Sequence, residues 1–277
     1  MEDPWIILTE WYWPENKERR AELTQCLHEN VESPEVRKIV LFSETMEGLD
    51  ENTLASSKII IKPAASRPTF KSLVMYASGN FENNRIAIIN NDISFKHFKN
   101  FKPDIETVYC ISRYEIEDDS AIWFDDYQQT NGSSKSHSAS QDAWLFQSGI
   151  KLRGGGFCLG IPGCDNRIAW LFKESGNTVI NNGKKICLVH RHESQIRNRS
   201  GESIPSPYLF LDIDGTKIER FYPTLPYYQF GRNPFKWHFF RSLTMSSDDF
   251  WLTIQFVIRT KITLPLTNLL SESSKPR

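Results

Sequence analysis

Over the first two hundred residues, short and nearly continuous apolar runs alternate with longer stretches whose apolar side chains recur every three or four positions. "WIILTEW" is the first such run. After Pro14, "ENKERRAELTQCLHEN" carries Ala21, Leu23, Cys26 and Leu27 on one face with charge elsewhere, which predicts a helix. "RKIVLFSE" and "SKIIIK" read as buried strands, "TFKSLVMYAS" as a helix, and "RIAIINNDISF" and "TVYCISRYEI" as further strands. Strands separated by helices predict an α/β fold with a mixed, mostly parallel sheet flanked by helices.

From 127 to 142, "YQQTNGSSKSHSASQD" is small and polar, which predicts a loop, and "GGGF" at 154–157 marks a second flexible point. "CDNRIAWLFKESG" predicts a compact helix. Ile168, Leu171 and Phe172 form its apolar stripe, Asp165 is placed to cap its start and Gly176 its end. "KKICLVHRHES" is strand-like and runs into a basic, polar segment that ends near residue 203. The remaining 75 or so residues are aromatic and contain proline, without a clear period or an internal repeat. The chain therefore divides into a domain over 1–200 and a C-terminal extension over 201–277.

Composition adds exclusions. A hydrophobic share of 39% with 24% charged residues describes a globular chain, and a net charge of −1 gives no argument for nucleic acid or an anionic membrane. Five dispersed cysteines without C-x-x-C spacing point to reduced thiols and a cytoplasmic location, with peripheral membrane attachment left open. "MEDPWIILTEW" has neither the basic nor the apolar region of a secretory leader, so none is expected. The densest late segment, "FWLTIQFVIRTKITLPL", is interrupted by Arg259 and Lys261, which suits a buried strand or helix rather than a transmembrane span.

Two sets of residues carry candidate chemistry. "YLFLDIDGTKI" at 208–218 has the form of the Asp-x-Asp-Gly-Thr nucleophile motif of haloacid-dehalogenase-type phosphatases. That fold needs a later Ser/Thr motif, a lysine and an acidic pair, and only 61 residues follow Thr216. "SSDDF" at 246–250 offers the pair but leaves no room for the intervening elements. Asp-Gly is also a favoured hairpin turn, so the run predicts a β-hairpin about Asp214-Gly215, with Leu209, Phe210 and Leu211 packing near the core.

The second set is scattered. Asp92 ends one predicted strand, Asp165 opens a helix, and His190 ends a strand, with His192 two residues on and so on the same face. In an open α/β sheet, ligands bind outside the carboxyl ends of the strands. A carboxylate and imidazoles there can share a divalent cation, and a carboxylate at a helix start can take a proton from a hydroxyl.

In that order, "INNDISF", "SQDAWLF", "PGCDNRIAW" and "HRHES" resemble nucleotide-sugar glycosyltransferases of the GT-A fold, in a bacterial and viral branch, over roughly residues 5–200. The resemblance implies that Asp92, His190 and His192 hold Mn²⁺ or Mg²⁺ and that Asp165 is the general base of an inverting transfer. It places Thr9 and Glu10 of "TEWYWP", Arg67 of "SRPTF", and Asn90, Asn91 and Asp92 on the donor side. Asp142, Trp144 and Asn166 fall on the acceptor side, with Trp144 offering a face for a sugar, and "HRHESQIRNR" folds over the diphosphate. The implied donor is a nucleoside-diphosphate sugar, a UDP-sugar above all, and the acceptor a glycan or other glycoconjugate hydroxyl. Two positions depart from the family: Asn90 stands where the first acid is usual, and Cys164 precedes Asp165 in place of a second acid. The first departure leaves a second reading open, a non-catalytic sugar-nucleotide or carbohydrate-binding module. A metal-dependent hydrolase built on His190 and His192 needs more ligands than the sequence offers nearby.

Overall fold

A computed structural model describes residues 4–97, 101–118, 120–133, 135–194 and 203–220, together with 253 and 255. The chain begins with strand β1 (Trp5–Trp11), helix α1 (Lys17–Glu32), β2 (Val36–Ser43), the short α2 (Glu51–Ala55), β3 (Ile59–Pro63), α3 (Phe70–Asn80) and β4 (Arg85–Ile89). It continues through β5 (Ile93–His97), β6 (Thr107–Ile111), β7 (Tyr114–Glu117), β8 (Ser120–Trp123), α4 (Phe124–Thr130) and a 3-10 turn at His137–Ala139. Last come β9 (Ala143–Gln147), α5 (Cys164–Glu174), β10 (Thr178–Ile180), β11 (Cys187–His190), β12 (Tyr208–Leu211) and β13 (Lys217–Arg220).

Seven strands form the central sheet in the order β10-β6-β9-β4-β1-β2-β3. All neighbours are parallel except β9, which runs antiparallel to both β4 and β6. This is the mixed, mostly parallel α/β sheet that the sequence predicts. Both faces are covered, which is why the strands read as continuous apolar runs instead of alternating. Ile6, Leu8, Ile86 and Ile88 pack under α3 and α5, meeting Phe70, Leu73, Ile168 and Leu171. Trp5, Ile7, Leu41 and Ala87 pack on the other face against Leu23 and Leu27 of α1 and against Ile93, Phe95 and Leu188. These last three belong to a smaller sheet of order β5-β11-β7-β8.

The structure corrects several boundaries. "RIAIINNDISF" is two strands, broken at Asn90–Asp92, and "TVYCISRYEI" is also two, broken at Ser112–Arg113. The span 127–142 is not all loop, since it holds the end of α4 and the 3-10 turn. On α1, Ala21 is exposed, while Arg19, Glu22 and Asn30 are buried with Leu23, Cys26 and Leu27. Asp165 does not cap α5; it lies in the first turn, and the cap residue is Gly163 at φ 83°. A Cβ at Gly163 would lie 2.8 Å from Tyr208 Oη and 2.9 Å from Ile204 O, so both conformation and space require glycine. At the other end of α5, Gly176 adopts φ 95°, the left-handed stop that the sequence predicts.

The predicted hairpin is present: β12 and β13 pair antiparallel, and Gly215 turns at φ 91°. Leu209 and Leu211 point into the core beneath α5, and Phe210, between them, faces the other way. "SSDDF", residues 195–199 of "HRHESQIRNR" and all of the late apolar segment except Thr253 and Gln255 lie outside the described residues. All five cysteines are free thiols. Among the described residues no helix is long and apolar enough to cross a membrane.

Candidate functional site

The sheet reverses its winding between β1 and β4, and a crevice opens at the carboxyl ends of the strands at such a switch point. A cavity of about 1350 Å³ lies there, lined by the ends of β1 and β4, the residues before β9, the start of α5 and the end of β11. The chain leaves β4 through a turn, with Ile93 N–H donating to Asn90 O at 3.2 Å, and then reverses into β5. β11 pairs with β5 so that His190 stands opposite Ile93, and Arg191 N–H donates to Asp92 O at 2.9 Å. This register sets His190 and His192 beside Asp92, with the two imidazoles stacked 5.4 Å apart.

One ligand atom each from Asp92, His190 and His192 lies within 4.8 Å of the others. Asn90 Oδ1, Asn91 Nδ2 and Asp92 Oδ1 are buried in this wall without a hydrogen-bond partner among the described residues. A buried carboxylate oxygen without a donor among the described residues, beside two imidazoles, is a fit for a cation, because a buried polar atom is ordinarily satisfied. One carboxylate and two imidazoles suit a first-row transition ion better than Mg²⁺, which prefers oxygen ligands.

Fixed charges surround the cluster. Arg19, from the first turn of α1, donates to Asp92 Oδ2, to Glu22 Oε2 at 2.8 Å and to Arg191 O at 3.0 Å. His190 Nδ1 bonds Glu115 Oε2 at 2.7 Å, and its Nε2 lies 3.3 Å from Asp92 Oδ2. Burial would push the Asp92 carboxyl up, but His190 and then Arg19 overcome it and hold the acid well below the usual range. Glu115 is likewise brought down to about 2 against its burial, by His190 and Arg113. For His190, burial and Arg113 act downward, and Asp92 and Glu115 outweigh them, lifting the imidazole to about 9.

The far end of the cavity is different. Asp142, just before β9, accepts from Arg113 through one oxygen and from Asn90 Nδ2 at 2.9 Å through the other. Asp165, one residue into α5, has neither arginine nor histidine on its carboxylate among the described residues; Cys164 Sγ donates to it at 2.9 Å. Burial, and after it the charge of Asp142, push the Asp165 carboxyl up to about 7. A base poised there accepts a proton near neutral pH and returns it readily.

The other predicted residues divide. Thr9, Glu10, Arg67, Asn90 and Asn91 all line the cavity. Thr9 Oγ1 donates to Ile89 O at 2.9 Å, which ties β1 to β4. The Arg67 fork is already taken: it donates to Glu10 Oε1 at 2.6 Å, to Oε2 at 2.9 Å and to Leu159 O at 2.8 Å. Arg67 thus braces Glu10 from the wall of the cavity, with its side chain 46% exposed. Trp144 is a correction. It is 0% exposed and meets Phe70 edge-on at 4.6 Å, so it has no face open to a sugar. Asn166 is a second: its Nδ2 shares two N–H groups among Ser138 O, Gln141 Oε1 and Leu209 O, each at 3.2 Å, pinning the hairpin and the preceding loop to α5.

Sequence reasoning missed Arg19, Arg113 and Glu115. Arg19 and Glu22 looked like an ordinary solvated pair three residues apart on a helix. Arg113-x-Glu115, directly after a strand, was the one available signal of two charges on one face. Asp212 of the phosphatase-like motif lies elsewhere: its Oδ1 bonds His137 Nε2 at 3.1 Å, while Asp125 Oδ2 holds Nδ1 at 2.5 Å. The bracketed imidazole fastens the hairpin to the loop carrying Ser138 and Gln141. The hairpin presents Phe210, Ile218 and Arg220 to the cavity, with the Arg220 guanidinium 4.9 Å from the Phe210 ring centre.

No protein-family model matches the chain, and no curated protein matches it significantly. Among solved structures, a crystal structure of GalNAc-T7 with UDP, GalNAc and Mn²⁺ aligns over 86% of this chain at 10% identity and a TM-score of 0.48. The chain spans about half of that one, 48% of its length. A Bacillus anthracis protein provisionally named glucose-1-phosphate thymidylyltransferase, in complex with sucrose, aligns over 68% of this chain and 89% of its own at 13% identity and a TM-score of 0.39. At these identities and scores, neither likeness says what this chain binds.

Proposed function

We propose that this protein is a GT-A-type glycosyltransferase that moves a sugar from a nucleoside-diphosphate sugar, a UDP-sugar above all, to a hydroxyl of a glycan acceptor. The observation that carries the reading is the two-ended cavity at the switch point. At one end, Asp92, His190 and His192 offer a cation site; at the other, Asp165 sits at about 7 with its carboxylate facing the same space. Asp92, His190 and His192 would hold a divalent cation, Mn²⁺ or Mg²⁺, which would supply positive charge to the diphosphate.

In this reading Glu10, braced by Arg67, and the buried amides of Asn90 and Asn91 border the donor. Asp165 takes the proton of the acceptor hydroxyl as its oxygen forms a bond to the anomeric carbon. The bond from that carbon to the diphosphate oxygen breaks, the nucleoside diphosphate leaves with the electron pair, and the configuration inverts. Residues 1–200 form the catalytic unit. The extension over 201–277 supplies the acceptor wall through Phe210 and Ile218 of its hairpin.

A thermal-unfolding panel of nucleoside-diphosphate sugars, with and without Mn²⁺, tests the reading. The expected result is that Mn²⁺ and one UDP-sugar together raise Tm by more than the two separate shifts combined. No shift across the panel overturns it, and a joint shift without transfer to any glycan would favour the binding-module reading.

A further inference from the structure

The pair that holds His190 from behind has no assigned role. Glu115 is buried, and β7 and β11 run parallel with Glu115 directly opposite His190, so the backbone register itself sets the carboxylate against the ring. The contact is His190 Nδ1 to Glu115 Oε2 at 2.7 Å, and the second carboxylate oxygen accepts from Arg113 Nε at 2.8 Å. Through Nη1, Arg113 also reaches the base end of the cavity, donating to Asp142 and to Ser140 Oγ at 2.9 Å. A run of buried charge of this kind is no cheaper than an apolar filling of the same space, so stability alone does not account for it.

A cation that binds an imidazole takes the place of the proton on one nitrogen and leaves the other nitrogen protonated. A carboxylate at Nδ1 demands the proton there. Nε2, facing Asp92, is then the nitrogen left to ligate. We infer that Glu115 and Arg113 are positioning residues: Glu115 fixes the tautomer and ring angle in which His190 ligates a divalent cation through Nε2, and Arg113 locks Glu115 while tying it to Asp142 beside the general base. The inference rests on the cation part of the proposed function and is independent of which sugar nucleotide, if any, is bound. Carboxylates behind ligating histidines raise ligand basicity and hold geometry, and their loss typically costs about 10- to 100-fold in metal affinity.

Two measurements on the whole chain decide it. Calorimetric titration with Mn²⁺ alone compares the native protein with Glu115→Gln and Glu115→Asp. Glu115→Gln is expected to weaken Mn²⁺ about 10- to 100-fold while unfolding stays cooperative, and Glu115→Asp to recover part of the loss. A Mn²⁺ affinity within about twofold of native in folded Glu115→Gln overturns the inference. In the native protein loaded with Cd²⁺, nitrogen chemical shifts of the His190 ring are expected to show a protonated Nδ1 and a metal-bound Nε2. The opposite assignment overturns the inference, and this measurement decides alone if the variants do not fold. Absence of Mn²⁺ binding in the native protein removes both this inference and the cation site. Mn²⁺ binding that depends on Glu115, with no response to any nucleotide sugar, keeps this inference and removes the transferase.

Discussion

Asp92 and Asp165 border one cavity, both sheltered from bulk water, and they ionise in opposite directions. Asp92, 8% exposed, stays far below the usual carboxylate range, and Asp165 rises to about 7. Burial pushes both upward; neighbours make the difference. Asp92 faces Arg19 and His190, whereas Asp165 faces a thiol and another carboxylate, Asp142. A permanently charged acid suits cation binding, and an acid that titrates near neutrality suits proton transfer. One fold therefore makes two kinds of carboxylate by choosing their neighbours.

The contrast is open to experiment at each point. Asp165→Asn removes the base and should cut transfer about 10²- to 10⁴-fold while leaving the joint Tm shift by Mn²⁺ and donor in place. Loss of that shift as well would make Asp165 a structural residue. Asp92→Asn acts on the other end: Arg19 keeps Glu22 and His190 keeps Glu115, but both lose the buried carboxylate they share, so stability in metal-free buffer should fall by about 1–3 kcal/mol and the Mn²⁺ response should be lost. The smallest effect is on pH. Asp165 works as a base only when ionised, so the rate should rise with pH through about 7 and level off above it. Asp142→Asn removes the repelling charge and leaves the Arg113 field, both of which favour ionised Asp165. The rising limb should then move to lower pH by about one unit, on the order of 1.4 kcal/mol. An unmoved limb would assign that titration to another group.

Much of the fold was legible. "WIIL", "IVLF" and "RIAII" are apolar at consecutive positions because both faces of those strands are covered, and the Asp214-Gly215 turn gave its hairpin away. His190-x-His192 was legible because period two puts both rings on one side of an extended chain. The failures have a common cause. Trp144 was placed with Asp142 because the two are close in sequence. Yet β9 runs antiparallel to its neighbours, so its beginning meets the cavity and Trp144, two residues on, is already inside the sheet beneath Phe70. The pairing of Arg67 with Glu10 went unread because the two are 57 residues apart.

By itself the sequence determined which segments are buried, that they alternate as strands and helices, where the hairpin turns, and which acids and imidazoles stand at element ends. These are properties of neighbours along the chain. Only the tertiary structure decided that Asp92 meets Arg19, that Glu115 backs His190, and that Asp142 repels Asp165. Coulomb interaction depends on distance in space and on exclusion of water, and the strand order brings those charges together from 23 to 75 positions apart in sequence.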